Sequence, residues 1–221
     1  MPSGGEKSSA KRALARRSPT QRPSSGFDFT HHMRLLCNDI VRRTPELRFI
    51  DLSRVAISFS QARKAVSHGL HATLTPMRFE EGSLYTSRGG KRWTVQRLYT
   101  PEDREMLYIL SFYLPRFLEG PLREKLETVI HELWHISPAF DGDLRRFSGR
   151  CYAHSHSQGD YDAQVRKITD RWLSLGPPAD LYSFLRHNLA GLQRTHGAVY
   201  GTKIRAPKLI PVEDAGDASK R

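Results

Sequence analysis

A chain of 221 residues, 38% hydrophobic and 26% charged, is long enough for one domain with a real core, and its composition excludes overall disorder. The formal net charge of +12 favours an acidic partner, whether nucleic acid, an anionic surface or an acidic protein, without choosing among them. Two cysteines, Cys37 and Cys151, are too few for a secreted disulfide framework, no apolar run has the length of a spanning helix, and the N-terminus lacks the apolar stretch of a signal peptide. These features together point to a cytoplasmic protein with no membrane partner.

Residues 1–26 are Ser, Pro, Gly and basic side chains. Lys7, Lys11, Arg12, Arg16, Arg17 and Arg22 face only Glu6, so this segment cannot bury a core, and a disordered basic tail is expected. The folded domain is expected over 27–210, with a polar, flexible tail at 211–221. Asp28 or Thr30 caps a first helix through Arg42, whose Met33, Leu36, Cys37, Ile40 and Val41 share one face; Thr44-Pro45 ends it.

Strand patterns follow. Val55, Ile57 and Phe59 alternate with small or polar residues. His71 to Glu80 reads as a second strand, with Pro76 arguing for an edge or a bulge. Lys91 to Tyr99 is a third, after the Arg88-Gly89-Gly90 turn. Tyr108 to Leu114 is a continuous apolar run, compatible with a strand or a short buried helix. Gly120-Pro121 then opens a helix in which Leu122, Leu126, Val129, Ile130 and Leu133 recur at spacings of three and four, and Pro138 stops it just past Ile136. A polar loop runs to about Ser157. A helix from about Gln158 to Leu173 and a short one from Asp180 to Asn188 complete the expected elements.

The most informative stretch is His131-Glu132-Leu133-Trp134-His135, an H-E-x-x-H pattern. Histidines at i and i+4 lie one above the other on a helix, so both imidazoles reach one ion, and zinc suits neutral imidazole nitrogens in a tetrahedral site. Glu132 sits beside the first histidine, where its carboxylate can take a proton from a water whose pKa zinc brings from ~16 to near 7.

A catalytic zinc takes three protein ligands and keeps one open position. Three residues compete for the third place. His156 and His154 point the same way if Tyr152–Ser157 is extended, and Ser157 is a plausible cap for the next helix. Asp141 stands six residues after His135, at the last-ligand position of a metzincin, but Pro138 occupies the place where that pattern needs glycine. Arg145 and Arg146 are candidates for stabilising an oxyanion, with pairing to Asp141 or Asp143 the more common role. Tyr152 and Tyr161 are also candidates to donate to an oxyanion, with packing the more common role, and Trp134 is expected to pack. Cys151 with His154 is half a zinc pair with no partner pair.

These residues resemble the phage-type metallopeptidases, small zincin-like proteins with an apolar run, then H-E-L-x-H followed by Ile or Cys, a variable loop, and a single histidine before a helix with an aromatic residue in its first turns. Here the pattern is His131-Glu132-Leu133-Trp134-His135-Ile136, then His156, with Tyr161 as the aromatic; the likeness covers about residues 28–175. It implies an α+β zincin-like domain, in which a short mixed sheet packs against the N-terminal helix and the H-E-x-x-H helix, with further helices towards the C-terminus. It also implies a Zn2+ cofactor and a peptide or protein substrate.

The expected activity is that of a zinc metallopeptidase, a hydrolase in which Glu132 is the general base and His131, His135 and His156 (or His154) hold the metal. A strand within 91–114 is expected to align the substrate by main-chain hydrogen bonds. The alternative is a nucleic-acid-associated basic protein whose zinc site is structural or inactive, with the basic tail contacting nucleic acid or an acidic protein.

Overall fold

The computed structural model describes residues 13–14, 26–61, 69–146 and 158–212, and among them it is an α+β fold with short mixed sheets. The expected basic tail lies almost wholly outside the described residues; from it, Ala13–Leu14 pairs in parallel with Leu98–Tyr99. Among the described residues no helix is long and apolar enough to cross a membrane.

Helix α1 spans Phe29–Arg43, and Asp28 caps it, accepting the His31 N–H at 3.0 Å. It buries Phe29, Met33, Leu36, Cys37, Ile40 and Val41 on one face, and burial pushes the Cys37 thiol up to about 12, which leaves it unreactive. Strands β1 (Val55–Gln61) and β2 (Ala72–Pro76) come next, then the hairpin of β3 (Tyr85–Arg88) and β4 (Lys91–Val95), then β5 (Tyr108–Leu114). The run at 108–114 is therefore a strand. It lies in the middle of the main sheet, parallel to β1 and antiparallel to β2, which explains its lack of alternation: both faces are covered.

The two faces carry different cores. Val55, Ile57, Phe59, Leu110, Phe112 and Leu114 face the helices, while Ala56 and Ile109 turn the other way onto Met77, Leu98 and Met106. The helical layer contains α1, α2 (Leu122–Trp134) and α3 (Gln158–Ser174). Leu126, Val129, Ile130 and Leu133 of α2 are at most 1% exposed. Each such side chain contributes about 1.5–3 kcal/mol of burial, and together they fix the rotation of α2 about its axis. Strand β6 (Leu209–Val212) pairs antiparallel with β4, so Pro211 and Val212, placed in the C-terminal tail by composition, belong to the second sheet. In place of a helix over 180–188 there are two 3-10 turns at Ala179–Leu181 and Ser183–Arg186, followed by α4 (Leu189–His196), whose cap is Asn188.

Candidate metal centre

α2 delivers the site. It opens at Pro121 and ends at Trp134, with His135 as the C-cap still in helical conformation (φ −67°, ψ −17°). The i,i+4 spacing therefore holds through the last residue of the motif, and His131 Nε2 lies 3.0 Å from His135 Nε2. Two imidazole nitrogens aimed at one point need a proton or a cation between them. Two ligands ~2.0–2.1 Å from one tetrahedral ion are roughly 3.4 Å apart, so the observed pair is within a small adjustment of a zinc bite. The donor set fits zinc.

The rest of the local structure holds the end of α2 in place. After His135 the chain doubles back: Ile136 bridges Leu144, the Arg145 N–H donates to the His135 carbonyl at 2.6 Å, and Ser137 N–H to the Asp143 carbonyl at 3.2 Å. The buried Tyr108 hydroxyl locks this turn, donating to the Asp143 carbonyl at 2.9 Å and accepting from the Gly142 N–H at 3.0 Å. Gly142 has φ +93°, and a Cβ there would meet Arg78 Cγ at 2.5 Å, so only glycine fits.

Tyr161, in the first turn of α3, packs against both imidazoles, with ring centroids 4.8 Å from His131 and 5.1 Å from His135. Its hydroxyl donates to the His131 carbonyl at 3.1 Å, and burial, then the Glu132 charge, raises its pKa. It packs against the histidine pair and joins α3 to α2, the more common role expected for it from the sequence. Trp134 is half-buried and carries the Arg145 guanidinium on its face at 3.7 Å.

Glu132 is 8% exposed. Burial pushes its carboxyl up to about 7, against a backbone hydrogen bond from Leu74 that pulls the other way. That contact locates the open edge of the sheet. The Tyr113 N–H donates to the His71 carbonyl and the Met77 N–H to the Leu107 carbonyl. In this antiparallel register Ala72, Leu74 and Pro76 then turn their main-chain groups away from β5. Pro76 thus lacks an N–H where β5 needs none. The strand beside α2 is β2, not a strand within 91–114 as the sequence suggested: β5 is enclosed on both sides and β4 belongs to the other sheet.

The remaining candidates separate. Asp141 accepts the Asp143 N–H at 3.1 Å and packs against Gly82; it does not join the histidine pair. Among the described residues no group of three His, Cys, Asp or Glu side chains is close enough to hold a metal. His154 and His156, with Cys151 and Tyr152, lie outside the described residues. The stretch that contains them is bracketed by Arg145, bonded to the His135 carbonyl, and by α3, whose Tyr161 touches both imidazoles. No family model, curated protein or solved structure matches the chain.

The two arginines behave differently. Arg146 pairs with Asp143 at 2.8 Å, the role expected from the sequence. Arg145 instead donates through Nε to the Trp134 carbonyl at 2.7 Å, satisfying one of the carbonyls left open at the end of α2. Desolvation lowers its pKa, and its Nη2 is buried without a hydrogen-bond partner among the described residues.

Proposed function

We infer that the protein is a zinc-dependent metallopeptidase of zincin-like architecture, with His131 and His135 as metal ligands, His156 (or His154) as the third, and Glu132 as general base. The observation that carries this reading is the joint placement of the convergent imidazole pair and a buried carboxyl beside it with a pKa near 7. A zinc site that only staples the fold gives no reason to bury a carboxyl next to its ligands, at a cost in stability.

Zinc held there would polarise a scissile carbonyl and acidify a water. The chain supplies the rest. Glu132, buried beside the two histidines, would take up a proton from the attacking water and hand it to the leaving amine, and its burial favours the protonated form it adopts between the two transfers. The open edge of β2 offers the Ala72 N–H and the Ala72 and Leu74 carbonyls to an extended peptide, which would lie next to Glu132, to which the Leu74 N–H already donates. The cleft beyond Pro76, about 380 Å³ and lined by Phe79, Tyr85, Leu144 and Arg146, gives a side chain of such a peptide a place to lie.

Incubation with an unfolded protein substrate tests the reading. Zinc-loaded protein is expected to cleave it, a chelator to stop cleavage and added zinc to restore it. Intact substrate after prolonged incubation with fully zinc-loaded protein, over a broad panel of unfolded proteins, would overturn it.

A further inference from the structure

The other end of α2 borders a second cleft, built from residues that the histidine site does not use. Lys125 precedes His131 by six positions, about 9 Å along the helix axis, and is 4% exposed. A lysine so deeply buried is rare without a carboxylate against it. Its ammonium donates to two main-chain carbonyls, of Leu185 at 2.8 Å and His187 at 3.1 Å, and an ammonium has a third hydrogen to give.

Around it lies a cleft of about 310 Å³, lined among others by Glu119, Gly120, Arg186, Asn188 and Arg194. Both arginines are exposed. Among the described residues no carboxylate lies within ion-pair distance of Arg186, Arg194 or Lys125. Glu119 is the one acid of the lining and Glu124 borders it at Gly120, so three cations outnumber the carboxylates at hand. Two helices also begin here. α2 has no side-chain cap, and in α4 the Asn188 side chain takes only the Gly191 N–H, at 2.8 Å, so further N–H groups of both first turns remain to favour an anion.

We propose that this cleft binds a phosphate group, with Arg186 and Arg194 as its forks and Lys125 at its base. Two guanidinium groups and an ammonium offer more donors than the two oxygens of a carboxylate can accept, whereas a phosphate presents three or four oxygens. The space equals roughly ten waters, more than a bare phosphate fills, so the group arrives attached to something larger. A phosphorylated small molecule and a nucleic-acid backbone share this chemistry.

Equilibrium dialysis of the whole chain against radiolabelled inorganic phosphate, at fixed ionic strength set with chloride, tests the proposal. Saturable binding is expected in the wild type, weakened at least about tenfold in the Arg186→Ala/Arg194→Ala double variant, since each lost charge-assisted bond is worth about that factor. Both side chains are exposed, so the double variant keeps its fold. Displacement of the label by a short oligonucleotide identifies the backbone as the source; displacement by a mononucleotide alone identifies a small ligand. Equal binding by the wild type and the double variant, or no saturable binding by the wild type, overturns the proposal. Phosphate held by the metal centre would give that equal binding, so failure here leaves the peptidase reading intact.

Discussion

Glu132→Gln lowers kcat of the zinc-loaded protein by about 10²–10⁴, the usual contribution of a positioned general base, while zinc content stays at the wild-type level. The amide keeps the shape and burial of the carboxyl but cannot accept and return a proton. His131 and His135 keep their places, because α2 is held by Leu126, Val129, Ile130 and Leu133 and not by Glu132. Rates measured on one peptide, with zinc quantified in the same samples, check this. A variant with activity within about threefold of wild type would remove Glu132 from the chemistry even if zinc is bound.

The same substitution stabilises the metal-free protein at pH 8, an effect of opposite sign to most substitutions of buried residues. The Glu132 carboxyl rises from 4.5 to about 7 on folding, because burial disfavours its charge. A raised pKa means that the folded state binds the proton more tightly than the unfolded state. The associated stability is complete below pH 4.5 and is lost as pH rises through 7. The shift corresponds to about 3 kcal/mol at pH 8, so metal-free Glu132→Gln should be more stable than wild type by about that amount at pH 8 and nearly equal to it at pH 4.5. Denaturant melts at the two pH values read this directly. Zinc beside the carboxylate favours its charged form, so the gap narrows in the zinc-loaded protein. A gap that does not change with pH would mean that the carboxyl is not desolvated.

The parts of the site that depend on neighbouring residues were legible in the sequence. The spacing of Leu122, Leu126, Val129, Ile130 and Leu133 defined the helix and its buried face, and the i,i+4 geometry of the histidines followed from it. Asp28 and Thr44 marked the ends of α1 correctly to within a residue. Long-range pairing was not legible. The Tyr85–Arg88 strand has no apolar alternation and exists because the Gly89-Gly90 turn folds it onto β4. The strand beside Glu132 was sought within 91–114, next to α2 in sequence, yet it is 72–76, because β5 passes through the middle of the sheet. Asn188 read as the end of a helix and is the start of one: its side chain caps forward onto Gly191. Lys125 is the missed signal. A lysine between Leu122 and Leu126, on a helix otherwise apolar on that flank, is a residue whose charge must be met by the fold, and the carbonyls of Leu185 and His187 meet it.

In the proposed site His131 and His135 hold a zinc ion completed by His156 or His154 ahead of α3. Elemental analysis of purified wild type beside His131→Ala and His156→Ala tests it most directly. About one zinc per chain is expected in the wild type, none in His131→Ala, and sharply reduced zinc in His156→Ala. No bound metal in the wild type after incubation with zinc, or undiminished zinc in His131→Ala, would contradict it.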